Sequence, residues 1–155
     1  MSNELVRVAM KFMIANDVES LQSFFKEYPK LIEYNFVSNE NWLHKASSYN
    51  SPDVIEMLVN IFDIESVDEY GRTALSLALI VDKFAPAKKL IELGANVNHN
   101  GDDSPLSCAV YSQSKELLKL LIENDANNES KEELIRFGRS QGYKNIEEDL
   151  NELNY

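Results

Sequence analysis

DEYGRTALSLA at residues 68–78, followed by LIELGANVN at residues 90–98, is the stretch that decides the fold. Gly71 permits positive φ in a tight turn, and Thr73 is a residue type that caps helix N-termini. Apolar residues recur at helical spacing after Thr73, and Gly94 stands where helices often end in a left-handed residue. The stretch therefore predicts a turn, a short inner helix, and an outer helix from about Pro86 to Leu93 with proline in its first turn.

The same order of residue types occurs in two other parts of the chain. It returns as SPLSCA at 104–109 and LLIENDAN at 120–127, and it occurs earlier as LHKA at 43–46 and VIEML at 54–58. The offset is constant at 31 residues for the pairs Thr73 and Ser104, Leu75 and Leu106, Ala78 and Ala109, Leu90 and Leu121, and Ala95 and Ala126. Toward the N-terminus the offset is 32, as between Leu43 and Leu75. Such regularity indicates an internal structural repeat.

A single helix pair cannot bury its apolar face and must stack on copies of itself. We therefore expect one domain over residues 1–155, built from repeating units. The expected units are an N-terminal cap at 1–34, repeats at 35–66, 67–98 and 99–128, and C-terminal capping helices at 129–155. In the second unit the junction IFDIE at 61–65 takes the place of GANVN at 94–98, and the loss of glycine predicts a different helix end there.

The pattern resembles the ankyrin repeat. The order Asp, Gly, Thr-Pro-Leu-His and Gly-Ala is matched in the third unit by Asp68, Gly71, Thr73, Leu75, Gly94 and Ala95. The fourth unit adds Ser104, Pro105, Leu106 and Ala126, and the second contributes Leu43, His44 and Ala46. The resemblance implies an all-α ankyrin-repeat solenoid of stacked helix-turn-helix units with projecting loops and degenerate terminal caps. It also implies that His44 is a structural residue that hydrogen-bonds loop backbone between neighbouring units, and not a metal ligand or catalyst.

Composition excludes several classes of partner. The 26 acidic and 15 basic side chains give a net charge of −11, which repels nucleic acids and anionic membranes. The longest apolar run is too short to cross a bilayer, the N-terminus lacks a secretion signal, and Cys108 is the sole cysteine. We therefore expect a cytoplasmic chain that is monomeric outside its complex. The acidity fits simple solubility as well as attraction to a basic partner.

No residue pattern predicts catalysis, a cofactor or a metal. His99 has no second ligand at metal-binding spacing, and acids such as Asp102 and Asp103 are common before helix N-termini. Cys108 lies at an apolar position of an inner helix and is predicted to be a core residue. The segment 138–142, GRSQG, resembles a nucleophile elbow only loosely, because it lies between two helical patterns and not after a strand. We interpret it as a turn and expect no enzyme.

The resemblance also implies that a protein partner binds loop tips and the exposed ends of inner helices. The matching positions are Val37, Ser38, Glu40, Ser48 and Tyr49 in the second unit, Glu69, Tyr70, Arg72, Ile80 and Val81 in the third, and Asp102, Asp103, Tyr111 and Ser112 in the fourth. Tyrosines are enriched at binding hot spots, although Tyr49 and Tyr111 would alternatively fill grooves between units. The acids expected to complement a basic partner are Glu40, Asp68, Glu69, Asp102 and Asp103.

Two functional hypotheses follow from these expectations. Small acidic ankyrin-like chains resemble bacterial immunity proteins, which bind and neutralise a cognate toxin, and a basic toxin or enzyme domain is the partner that the acids favour. The alternative is a general adaptor or regulatory subunit that holds its partner without neutralising anything. Sequence alone leaves both hypotheses open.

Overall fold

The computed structural model describes residues 3–99 and 104–155, and within these ranges the chain forms ten α-helices. The helices are α1 (Asn3–Ile14), α2 (Val18–Glu27), α3 (Trp42–Ser48), α4 (Pro52–Leu58), α5 (Ala74–Ile80), α6 (Phe84–Glu92), α7 (Pro105–Tyr111), α8 (Lys115–Ile122), α9 (Lys131–Ser140) and α10 (Ile146–Glu152). Short 3-10 turns lie at Pro29–Leu31 and Val37–Asn39. An isolated bridge joins Val67 to Thr73, and no β-strand occurs in the described ranges.

The helices stack in two rows. The odd-numbered helices α3, α5, α7 and α9 pack side by side as the inner row, and α2, α4, α6 and α8 pack side by side as the outer row. Helices α3, α5, α7 and α9 also pack against the helix that follows each of them, and α1 packs against α2. This arrangement is an all-α repeat solenoid, as the sequence predicts.

The core repeats with the period of the sequence. Leu43, Leu75 and Leu106 are all buried, and so are the alanines three residues after each of them. At the start of α5, the Thr73 side chain accepts a hydrogen bond from the Ser76 amide at 3.2 Å, as expected of a cap. The predicted register is therefore confirmed at the positions that define it.

A left-handed residue lies two residues beyond the last residue of α1 and of each inner helix. These residues are Asn16, Asn50, Asp82, Gln113 and Gly142, with φ between 53° and 82°. Outer helix α6 is followed by Gly94, which has φ 93° as predicted. Gly71, in the turn before α5, has φ 73°, also as predicted. No positive φ occurs between Asn50 and Gly71, which confirms the different helix end expected near Phe62. The left-handed residue ends the helix, and the chain reverses direction into the next helix of the pair.

Helix α6 begins two residues before the predicted start, and proline lies in its first turn as predicted. The helix begins at Phe84, so Pro86 is its third residue, and it ends at Glu92 with Leu93 as the cap. Amides in the first turn of a helix have no intrahelical acceptor, so proline is tolerated throughout that turn. A proline signal thus marks the first turn and not the first residue.

Trp42 joins the first unit to the second. It begins α3 at the place where the ankyrin pattern has proline, and its side chain is fully buried. The indole nitrogen donates a hydrogen bond to the Leu31 carbonyl at 2.7 Å. Its ring meets Phe25 edge-on at 5.2 Å and Phe36 at 4.9 Å between centroids. These contacts pack the degenerate N-terminal unit on the stack.

The segment 138–142 closes the last helix pair. Gly138 and Ser140 belong to the end of α9, and Gly142 is the left-handed residue that follows. A Cβ atom added at Gly138 would lie 2.9 Å from Ile146 Cγ1, so glycine permits the close approach of α9 and α10. The predicted turn is therefore too long: residues 138–140 are helical and only Gln141 and Gly142 form the turn, and a helix precedes them where a nucleophile elbow has a strand.

Candidate protein-binding surface

The loops that precede α3 and α5 meet at their tips. The Glu69 amide donates a hydrogen bond to the Ser38 carbonyl at 2.9 Å, and Ser38 and Asn39 both have positive φ. Val37 is 87% exposed and Tyr70 is 57% exposed, and Glu69, the residue before Tyr70, is exposed as well. Two large apolar side chains and one carboxylate thus face solvent on a backbone that is fixed by hydrogen bonds.

An ionic cluster lies beneath these tips. The Arg72 guanidinium contacts Asp68 Oδ2 at 2.6 Å and Glu40 Oε1 at 3.8 Å, and Lys45 pairs with Glu40. The guanidinium also stacks on the Tyr70 ring at 4.8 Å. Glu40 and Arg72, which the sequence assigns to partner binding, are therefore engaged within the chain. Their contact with a partner stays a prediction.

The structure corrects the role predicted for Asp68. Its side chain is fully buried and accepts hydrogen bonds from the Tyr70 amide, the Arg72 amide and Arg72 Nε at 2.8–3.0 Å. Burial acts to raise the pKa of Asp68, but these hydrogen bonds and the guanidinium charge outweigh it and hold the pKa below its usual value. Asp68 shapes the loop and has no exposed carboxylate to offer a basic partner.

His44 has the structural role that the resemblance implies. Its Nε2 donates to the Arg72 carbonyl of the next unit at 3.2 Å, and its Nδ1 accepts from the Asn41 amide at 3.3 Å. With its proton on Nε2 the ring is neutral and makes both of these bonds, while Nδ1 also lies 2.8 Å from Asn41 Oδ1. Burial lowers the pKa of His44 more than the Arg72 carbonyl and the nearby charges of Asp68 and Glu40 raise it.

Mild acid is expected to destabilise the fold through His44. The buried ring resists a proton that the unfolded chain accepts at about pH 6.5, so stability is complete above that pH and falls as pH drops toward the lower folded pKa. The loss is at most about 1.4 kcal/mol per pH unit. Urea unfolding between pH 7.5 and 5.5 measures it. His44→Gln should make the free energy of unfolding depend less on pH in this range. The control, His99→Gln, should keep the pH dependence of the unchanged chain. A His44→Gln chain that loses as much stability as the unchanged chain would contradict the role assigned to His44.

The ends of the inner helices add further aromatic surface. Tyr49 after α3 is 46% exposed, and Tyr111 at the end of α7 is 54% exposed, so neither ring is enclosed in a groove between units. Val81 is exposed, while Ile80 and Ser112 are half-buried. Ser48, the last residue of α3, is half-buried, and Asp102 and Asp103 lie outside the described residues.

A cleft of about 220 Å³ opens on this side of the stack. Its lining joins three predicted residues to three that the sequence did not assign to binding: Arg72, Ile80 and Tyr111, with Ser107, Cys108 and Phe137. Cys108 is buried, which confirms it as a core position. Ser107 is the counterpart of His44 by repeat offset, and this equivalence is the signal that could have drawn attention to it.

Glu129 connects the fourth unit to the C-terminal cap. Its carboxylate accepts hydrogen bonds from Ser107 Oγ at 2.8 and 2.9 Å and contacts the Ser104 hydroxyl. A glutamate from the following unit thus makes the inter-unit contact that His44 makes elsewhere. Residue types alone did not predict this link, because Glu129 lies in a polar stretch without a motif.

The described residues contain no group of three metal-ligating side chains. In the same part of the chain, no helix combines the length and apolar character that a membrane span requires. The side chains gathered on the loop tips and inner-helix ends are aromatic, aliphatic and acidic. Side chains of these types can recognise another macromolecule through packing and charge.

Stacked helix pairs with exposed aromatic side chains on a loop tip and at inner-helix ends define a helical-repeat module for protein–protein interaction. The model of the family of ankyrin repeats matches residues 9–101 and 43–132, with three copies of the repeat. The chain belongs to the ankyrin-repeat family. Members of this family are typically non-catalytic and bind protein partners. A search of curated proteins finds no match.

Proposed function

We propose that this chain is an immunity protein that binds and neutralises a basic bacterial toxin in the cytoplasm. The observation that supports this most is the pairing of exposed aromatic rings with an exposed acid. Tyr70 stands beside Glu69 on a loop tip, and Tyr49 and Tyr111 lie at inner-helix ends. Large rings supply buried contact area at a small cost in side-chain entropy, and they dominate interface energetics.

Charge supports a basic partner. The net charge of −11 attracts a cationic protein over several ångströms and accelerates its encounter. Glu69 is exposed and is the acid of the paired loop tips that forms no ion pair within the described residues. A toxin whose substrate is anionic, such as a nuclease, presents a basic groove that this surface would cover.

Capture of the partner tests the proposal directly. The tagged chain is used to pull proteins from its native cell at low and at high salt, and bound proteins are identified by mass spectrometry. One stoichiometric basic partner that is retained at high salt and loses its toxic activity in the complex supports the proposal. Several partners, or one partner that keeps its activity, would replace it with the adaptor function.

The double variant Glu69→Gln with Tyr70→Ala should weaken the captured complex by more than about 2 kcal/mol, which is roughly 30-fold in Kd. The expected cause is loss of a central ring and its neighbouring charge. Isothermal titration calorimetry measures the change. Glu116→Gln removes an equal charge from exposed outer helix α8 and should leave Kd unchanged. An unaltered affinity in the double variant would mean that the binding hot spot lies outside this loop.

A further inference from the structure

The cleft beside α7 has the dimensions of a side-chain pocket. Its volume of about 220 Å³ equals that of about seven water molecules, and it is smaller than the pockets of about 300 Å³ or more that hold small-molecule ligands. Tyr111, Phe137 and Ile80 supply apolar wall, and Ser107 supplies a hydroxyl. These walls fit one long side chain with an apolar stem and a polar end.

Arg72, the charged residue of the cleft lining, is neutralised by its ion pairs, whereas Glu129 next to the lining is not. Asp68 and Arg72 compensate each other, and Glu40 is paired with Lys45, so these four side chains carry no net charge. Glu129 then stands alone: its carboxylate is held by two serine hydroxyls, and no basic side chain in the described ranges pairs with it. Since Ser107 lines the cleft and binds that carboxylate, the uncompensated charge lies one hydrogen bond behind the cleft wall.

We propose that this cleft receives one arginine or lysine side chain of the protein partner. The aliphatic stem lies along Ile80 and between the rings of Tyr111 and Phe137, and the cationic end reaches Ser107 and the charge of Glu129. The inference rests on the proposed function, because it specifies the chemistry by which a basic partner is recognised. It adds an anchor that is separate from the loop tips around Tyr70.

Arg72 does not make the cleft a site for anions. Its guanidinium is committed to Asp68 through contacts at 2.6 and 2.8 Å, and it also faces Glu40 at 3.8 Å. An anionic side chain would have to compete with two carboxylates already in place and would face Glu129 as well. A cationic side chain is attracted by the same carboxylates, and the aromatic walls of the cleft favour it further.

The test uses the intact chain and small probes that carry only the side chain in question. N-acetyl-arginine amide and N-acetyl-lysine amide are titrated into the 15N-labelled protein and followed by NMR, with N-acetyl-citrulline amide as the uncharged counterpart of arginine. We expect saturable shifts at the amides of Ser107, Tyr111 and Phe137 with at least one cationic probe. Citrulline should bind at least about fivefold more weakly.

Variants assign the charge to Glu129. Glu129→Gln keeps an oxygen that accepts from the serines and should weaken binding of the cationic probe at least about fivefold, whereas Glu116→Gln on the outer row should not change it. Should Glu129→Gln melt below the assay temperature, Tyr111→Ala replaces it, because its exposed ring can be removed without opening the core. Non-saturating shifts, equal binding of citrulline, or equal binding by the Glu129 variant would overturn the inference.

The captured partner separates this inference from the proposed function. If that partner loses affinity with the Glu69 and Tyr70 variant but binds Glu129→Gln as tightly as the unchanged chain, the cleft is not an anchor and the proposed function stands. If the cationic probes bind the cleft but the chain neutralises no toxin, the cleft chemistry stands and the immunity function fails.

Discussion

Trp42→Ala is expected to lower the free energy of unfolding by about 3–5 kcal/mol, measured by urea denaturation followed by circular dichroism. The substitution removes the largest fully buried side chain at the junction of the first two units. It empties the space between Phe25 and Phe36 and leaves the buried Leu31 carbonyl without its indole donor. Domains of this size are stable by only about 5–15 kcal/mol, so the N-terminal unit should separate from the stack.

Trp42→Phe separates the two contributions of the indole. Phenylalanine preserves most of the ring packing but donates no hydrogen bond, so a loss of about 1–3 kcal/mol is expected from the unpaired carbonyl and the smaller ring. The exposed residue Ile61 provides the matched control, and Ile61→Ala should change stability by less than about 0.5 kcal/mol. A Trp42→Ala chain as stable as the Ile61 variant would mean that the junction does not depend on this ring.

Leu75→Ala is expected to destabilise the chain by about 2–5 kcal/mol. Leu75 is buried in the first turn of α5, which packs against α3 and against α7, so the cavity weakens the packing of this helix between its two neighbours. Thermal melting by circular dichroism should show a fall in Tm of about 4 °C or more. In a solenoid, each unit depends on its neighbours, and the loss extends beyond the altered helix.

Leu106→Ala is the companion experiment, because Leu106 occupies the same repeat position in α7 and is equally buried. Both variants should lower the free energy of unfolding by about 2–5 kcal/mol. An unchanged melting temperature for Leu75→Ala would contradict the repeat register, since a core leucine cannot be shortened without loss of packing.

Features set by local chemistry were predictable from the sequence. Thr73 caps its helix, Gly71 and Gly94 adopt positive φ, and His44 reaches the next loop, because each depends on residues within one repeat or at one repeat offset. The repeat also implied the inner-row and outer-row arrangement. The start of α6 was misplaced, because proline is compatible with several positions of a first helical turn.

Features that join distant side chains were not predictable in the same way. Asp68 was expected to face a partner, yet it is buried by Arg72 and by the amides of its own loop. Nothing in the local sequence shows that Glu40 shares Arg72 with it, or that Glu129 reaches Ser107 across 22 residues. These pairings follow from how long side chains meet between stacked units, which repeat periodicity does not encode.

The recurrence of a left-handed residue two positions after every inner helix makes the chain modular. Each helix pair reverses at the same place and presents equivalent faces to the pair before and the pair after it. Gain or loss of a whole unit of 31 or 32 residues therefore keeps every remaining interface in register. A change of one or two residues within a helix would instead rotate every face that follows. Duplication of units can thus lengthen the binding surface loop by loop, while substitutions at each tip diversify what it recognises.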